Sequence, residues 1–402
     1  MTTESVTLNI GVLTMKQISA SCFSPRGITL TETIVACACA ASIVTLLSGA
    51  AMMMRRETGE QVSKANMAAL YISHVEYAAS NSGKQWCSHL DNFGLVVGNC
   101  SSYVSQIQCP PQQILGSTAD GSLWAYWVSS PLCPPPSPGD CVNWPTLLPN
   151  SFGSSDWFGS AQMINVRSFH NYLGGRFYDS RFYAPNDTTV YNAAAVNFNN
   201  PAEFVYQPPN IYWSSYMMSA AAMWSPEVLR PATSGGYQAP TFATAFTRQN
   251  LAGAAYPELK TLMFEKNWNQ GAPIPSLRYN ESVSSRPVTL FYDGHVANIS
   301  NMVAIIDDLR STAQSGNGLW CRNTPVTAGF SGYYGGRTSH SVLTTNGILG
   351  RDVLDTRCGT GGVDLTALLA DWGGTTMDLD LDGTVMGGDL SLLLSTWGKC
   401  TD

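Results

Sequence analysis

Arg26-Gly27-Ile28-Thr29-Leu30-Thr31-Glu32 leads through Thr33 into Ile34-Val-Ala-Cys37-Ala-Cys39-Ala-Ala-Ser-Ile43-Val-Thr-Leu46-Leu47-Ser-Gly-Ala-Ala-Met52-Met-Met54, a run with no charged residue. At ~1.5 Å of rise per residue, about 20 such residues match the ~30 Å hydrocarbon core of a bilayer. A helix satisfies its own backbone hydrogen bonds there, which an isolated strand cannot do. The buried helix of a soluble domain usually has an apolar run of only about 10–14 residues. The reading is therefore a long helix over 28–80, transmembrane over about 28–54 and amphipathic afterwards. In its second half Val62, Ala65, Ala69, Ile72, Val75 and Ala79 recur at three- and four-residue steps, which predicts one buried apolar stripe. Gly59 should interrupt the helix and Asn81-Ser82-Gly83 should end it.

Glu32 stands at the mouth of the apolar run. A carboxylate at mid-bilayer costs roughly 2.5–3.5 kcal/mol on insertion scales, less near an end, so it calls for a partner. The plainer alternative is a first-turn acid favoured by the helix dipole.

The spacing of Gly27, Ile28 and Glu32 resembles the processing segment of type IV prepilins and type II secretion pseudopilins. That resemblance implies a leader over 1–27, cut after Gly27 by prepilin peptidase, and methylation of Ile28 as the new amino terminus. It also implies that Glu32, fifth in the mature chain, neutralises the amino terminus of a neighbouring subunit. Ile28 stands where Phe is usual in that family, and Thr31 where a branched aliphatic is usual. Starting at Met15 would leave a short leader carrying Lys16 and Arg26. An ordinary secretory signal has a short apolar region ending at a small-residue cleavage site. Thr31-Glu32-Thr33 and the length of the run argue against that. Ile34-Val35-Ala36-Cys37 is formally a lipoprotein site, but most of the apolar stretch follows its cysteine.

Only 12% of the 402 residues are charged and the net charge is −7, which gives no electrostatic case for nucleic acid, because phosphate binding needs clustered Lys and Arg. High Gly and Pro counts with 11 Trp point to a loop-rich, strand-rich head over 81–346. Beyond the helix lie Cys87, Cys100, Cys109, Cys133, Cys141, Cys321, Cys358 and Cys400. An even set on one side of a membrane fits disulfides of undetermined pairing, with buried thiols as the alternative. Candidate strands are Ser122–Val128, Arg176–Tyr183, Ala202–Tyr206, Thr261–Glu265 and Pro287–Tyr292. Within Arg286–Ile299, Asp293-Gly294 between two alternating runs predicts a hairpin with a type I′ turn. Phe291-Tyr-Asp-Gly-His-Val296 also resembles a signature of large prepilin-like heads from planctomycete-type bacteria. Those commonly carry a His ten residues before the Asp, where this chain has Val283.

No catalytic residue emerges. The five His residues, at 74, 89, 170, 295 and 340, show no metal-protease spacing, and no nucleophile elbow or phosphate loop occurs. Asp293 and His295 could form an acid–base pair, though such turn residues are commonly structural.

The tail over 347–402 contains a repeat. Asp364-Leu-Thr-Ala-Leu368-Leu369-Ala-Asp-Trp372-Gly373 matches Asp389-Leu-Ser-Leu-Leu393-Leu394-Ser-Thr-Trp397-Gly398. Each copy predicts a short helix, with Asp at the N-cap, Gly at the stop and three Leu and a Trp on one face. Neither helix could bury that face alone, so the two should stack. Before the second runs Asp378-Leu-Asp380-Leu-Asp382-Gly383-Thr384-Val-Met-Gly-Gly-Asp389. This is a calcium-loop pattern. Asp378, Asp380 and Asp382 supply hard oxygens, Gly383 makes the sharp turn, Thr384 offers its carbonyl, and Asp389 closes the loop. Three carboxylates within five residues repel each other without a cation; the alternative is an acidic loop with Asp389 only a cap.

The tail resembles dockerin-type repeats over roughly 350–400. In the first repeat, Val353, Asp355 and Arg357 occupy the ligand positions and Cys358 replaces the glycine, so one Ca²⁺ is expected. Cys358 and Cys400 bracket the helix pair and could clasp it by a disulfide.

The expected class is thus α+β: a long N-terminal transmembrane helix packed on a mainly antiparallel β head, plus a small all-α EF-hand or dockerin-like module. The expected function is structural. The chain would be a minor pilin or pseudopilin of a type IV pilus or type II secretion-like filament, not an enzyme. Its partners would be prepilin peptidase, other pilin-like subunits and the inner membrane, with the head in the periplasm and later on the pilus or cell surface. The alternative is a membrane-tethered binding protein whose head or calcium-loaded tail captures a surface protein or glycan.

Overall fold

Helix α1, Leu30–Ser80, runs unbroken for 51 residues. The computed structural model describes residues 30–87, 112–127, 159–206, 211–238, 248–266, 285–321, 333–334, 337–338, 344–355, 362–380 and 382–395. The chain divides into two units, Met1–Met54 and Arg55–Asp402.

The transmembrane expectation is corrected in the first place. Among the described residues, no helix is long and apolar enough to cross a membrane. The 51 residues of α1 are not apolar throughout. Arg55, Arg56, Glu57, Glu60 and Lys64 follow in quick succession, and each opposes entry into hydrocarbon. Upstream, Thr45 and Ser48 donate their hydroxyls to the Ser42 and Thr45 carbonyls, at 2.8 and 2.9 Å. The α+β class with antiparallel sheets remains; the spanning helix does not.

The second correction concerns which face of α1 is buried. Ser63, Asn66, Met67, Leu70, Ser73, His74, Tyr77 and Ala78 are buried, at steps of three and four. The expected stripe lies on the other side. Val62, Ile72 and Val75 are 42%, 61% and 43% exposed. Polar residues take the inner face because each meets a partner there. The Asn66 amide donates to the Tyr216 hydroxyl at 3.2 Å, and His74 Nε2 accepts the Trp86 N–H at 3.1 Å. Gly59 does not interrupt the helix either. A Cβ at Gly59 would lie 2.2 Å from the Asn186 Oδ1, and the Asn186 amide caps the Arg56 carbonyl at 3.0 Å. The stop signal does act as expected, through positive φ at Ser82 and Gly83.

Short helices follow at Arg167–His170 (α2), Thr188–Ala195 (α3) and Ala220–Met223 (α4). Strands β1, Gln112–Ser117, and β2, Leu123–Trp127, form an antiparallel pair. The main sheet is an antiparallel meander of β3, Tyr216–Met218; β4, Thr261–Glu265; β5, Val288–Phe291; and β6, Val296–Asn298. β7, Tyr333–Tyr334, and β8, Arg337–Thr338, pair separately. Arg176–Tyr183 is no strand but turns and a 3₁₀ segment at Ser180–Phe182, where the Asp179 side chain accepts the Arg181 N–H. Ala202–Tyr206 is also outside any strand, though the Phe204 N–H reaches the Ser117 carbonyl at 3.1 Å.

The Asp293-Gly294 hairpin exists with a different turn. The Gly294 N–H reaches the Phe291 carbonyl and the Phe291 N–H the His295 carbonyl, both at 3.0 Å. Only Gly294 has positive φ, at +90°, so this is a three-residue loop with a bulge and not a type I′ turn. A Cβ there would come within 2.5 Å of the Tyr71 ring, so the glycine also lets α1 approach the turn.

β5 separates two cores by its period of two. Val288, Leu290 and Tyr292 join the larger core with Met67, Leu70 and Tyr77 of α1. Phe291 points into a second core with helix α5, Asn301–Ser315. Ser300 caps α5 through the Met302 N–H and Gly316, at φ +71°, ends it. Helices α6, Gly362–Ala370, and α7, Gly387–Ser395, complete the described chain. Their Leu368 and Leu393 enter the second core, so the tail packs its apolar residues together with α5.

Candidate metal centre

The α6–α7 connection is built by carboxylates that gather backbone N–H groups. Asp371, just past α6, accepts the Thr376 and Met377 N–H groups at 2.6 and 2.7 Å. Met377 and Leu379 then turn into the second core, while Asp378 between them faces the other way. Gly383 makes the expected sharp turn at φ +99°. Asp378 Oδ2 accepts its N–H at 2.9 Å, Asp380 Oδ1 accepts that of Asp382 at 3.1 Å, and Asp382 Oδ1 accepts that of Thr384 at 2.9 Å.

Asp389 closes the loop. Its Oδ1 accepts the N–H groups of Leu379 and Asp380, at 2.5 and 3.1 Å, and its Oδ2 accepts that of Met386 at 2.7 Å. It is the third residue of α7 and not the N-cap, as Asp364 is the third of α6. The acid reaching back to the residue before the helix satisfies an orphan N–H of the first turn. Two N–H groups fill the lone pairs of Oδ1, and Oδ2 retains one.

One ligand atom from each of Asp378, Asp380 and Asp382 lies within 4.8 Å of the others. Oxygens at 2.3–2.6 Å on opposite sides of a calcium ion are about 4.6–5.2 Å apart, so the three can share one ion. Asp378 supplies a sharper observation. It is 8% exposed, and its Oδ1 is buried without a hydrogen-bond partner. A buried carboxylate oxygen with no donor is costly; a cation removes that cost. Desolvation first, then the charges of Asp389, Asp382 and Asp378, raise the Asp380 carboxyl above its ordinary range against the opposing Asp382 N–H. A hard cation suits this all-oxygen donor set. Asp378, Asp380 and Asp382 would hold it; the Asp389 carboxylate, expected as a further ligand with the Thr384 carbonyl, is not among the oxygens gathered within 4.8 Å.

Sequence reasoning overlooked Gly388. A Cβ there would sit 2.1 Å from Asp380 Oδ2, so only glycine lets that carboxylate approach the start of α7. The Gly387-Gly388 pair was the available signal. The repeat helices also differ from expectation. Leu368 and Leu393 are buried, but Leu369, Trp372 and Leu394 are half exposed, so their apolar residues do not share one buried face.

Glu32 falls in the first turn of α1. Gly27, Ile28, Cys358 and Cys400 lie outside the described residues, as do Cys100, Cys109, Cys133 and Cys141; Cys87 and Cys321 are buried in the larger core. The Asp293–His295 pair is real, with Oδ1 to Nδ1 at 2.6 Å, and the imidazole stacks on Phe291 at 4.3 Å. Asp293 also accepts the His295 N–H at 3.1 Å, the geometry of a fastened turn. Compared with known protein families, curated proteins and solved structures, the chain matches none.

Proposed function

We propose that the chain is a structural subunit, of the minor pilin or pseudopilin kind, in a type IV pilus or type II secretion-like filament. The observation that carries this reading is the reversal of faces on α1. The helix buries Met67, Leu70 and Tyr77 with Ser63, Asn66, Ser73 and His74 against its own head and leaves Val62, Ile72 and Val75 to water. An apolar stripe along a helix is suited to packing against other helices. In this reading neighbouring subunits cover it. Prepilin peptidase cuts between Gly27 and Ile28, Ile28 is methylated, and Glu32 meets the amino terminus of the next subunit. Ca²⁺ occupies the 378–389 loop, the head is displayed at the cell surface, and no catalytic role is assigned.

The test is the double variant Ile72→Glu, Val75→Glu. Exposed substitutions should leave folding stability within ~0.5 kcal/mol, while filament assembly is lost. Normal assembly would overturn the reading.

A second reading is a surface binding protein that captures a protein or polysaccharide. It draws on Trp124 and Tyr206, whose rings stack at 4.2 Å with Tyr206 43% exposed. Aromatic faces of this kind stack on sugar rings. The two readings are compatible, since a minor subunit can carry an adhesive head.

A further inference from the structure

The loop that would hold the cation alternates between two environments. Asp378 and Asp380 belong to the ligand cluster, while Met377, Leu379 and Val385 lie in the second core. The same core holds Met302, Ile305 and Ile306 of α5. Leu379 is 1% exposed, and its own N–H is held by Asp389. Ligand and core side chains thus leave opposite sides of one short backbone stretch. The depth of Leu379 in the core is tied to the position of Asp378 and Asp380.

Polar ties run the same way. Asp307 Oδ2 on α5 accepts the Leu354 N–H at 2.8 Å. The Arg310 guanidinium lies 3.5 Å from Asp307 and 3.7 Å from Asp364 of α6. The chain entering the tail and the start of α6 are therefore tied to α5. Without a cation, the carboxylates repel and the Asp378 Oδ1 can gain a donor only by reaching water. Hydrating it would draw Met377 and Leu379 away from α5.

We propose that a divalent cation in the 378–389 loop governs the stability of helix Asn301–Ser315, making the tail a cation-dependent brace of the head. This rests on the metal reading of the loop and assigns the ion a role inside the chain, not in capturing a partner.

Two measurements on the full protein separate the claims. Calcium binding is followed by calorimetry, and hydrogen exchange by mass spectrometry of peptides covering Asn301–Ser315, in calcium and in EGTA. At calcium about ten times the dissociation constant, exchange of α5 should slow about tenfold. Asp378→Asn should exchange in calcium as the parent does in EGTA. Should that variant fail to fold, Asp382→Asn, at an exposed ligand position, should shift α5 protection to higher calcium. Calcium binding with unchanged α5 exchange would overturn the brace while leaving the metal site. Absence of binding would overturn both.

Discussion

Asp389 holds the main-chain N–H of Leu379 at 2.5 Å while the Leu379 side chain is 1% exposed in the core beneath α5. One carboxylate near the start of α7 therefore fixes a residue ten positions back, and through it the path of the whole acidic loop.

Replacing Asp389 by alanine leaves the N–H groups of Leu379, Asp380 and Met386 without their acceptor. A buried donor left unsatisfied costs ~1–3 kcal/mol. Chemical denaturation in EGTA should therefore show Asp389→Ala destabilised by at least ~2 kcal/mol even without metal. Stability equal to the parent in EGTA would mean that the carboxylate serves only as a ligand.

Lys260 and Asp352, both fully buried, pair at 2.8 Å, and Asp352 also accepts the Thr261 N–H at 2.9 Å. This joins β4 to the chain entering the tail. Lys260→Met strands a buried carboxylate and should cost roughly 3–5 kcal/mol in urea denaturation. The double variant Lys260→Met, Asp352→Asn should recover part of that loss, because no uncompensated charge remains. A single variant as stable as the parent would contradict the pairing.

Glu265 sits under α1, bonded to the Ser63 hydroxyl and, at 3.3 Å, to the Val288 N–H. Burial, aided by the charges of Glu60 and Asp187, pushes its carboxyl up to about 7 against those hydrogen bonds. A folded-state value above the unfolded one means that the native state binds the proton more tightly. Its stabilising contribution is full below about pH 4.5 and is lost as pH rises through about 7. At ~1.4 kcal/mol per unit, Glu265→Gln should remove a fall of roughly 3 kcal/mol between those values. Parallel stability–pH curves for parent and variant would contradict this.

Much of the fold was legible where one local signal decided it. Thr261–Glu265 and Val288–Phe291 are short, largely apolar runs that each carry Thr and Phe, and both are strands. The loop at Asp378 was legible because ligand spacing, a positive-φ glycine and a closing acid are consecutive in the chain. Long-range choices were not. The periodicity of α1 marks its apolar face, but which face is buried depends on Tyr216 and Trp86, far away in sequence or across a turn. Arg176–Tyr183 has strand-like residues, yet Asp179 turns it by capping the Arg181 N–H and pairing with its guanidinium at 2.7 Å. The sharing of a core between the tail and α5 leaves no trace in either segment by itself.

N-terminal sequencing with mass analysis of the mature protein tests the filament-subunit account most directly. The account predicts a chain beginning with methylated Ile28, cut after Gly27. An intact Met1 or Met15, or a lipid on Cys37, would contradict it.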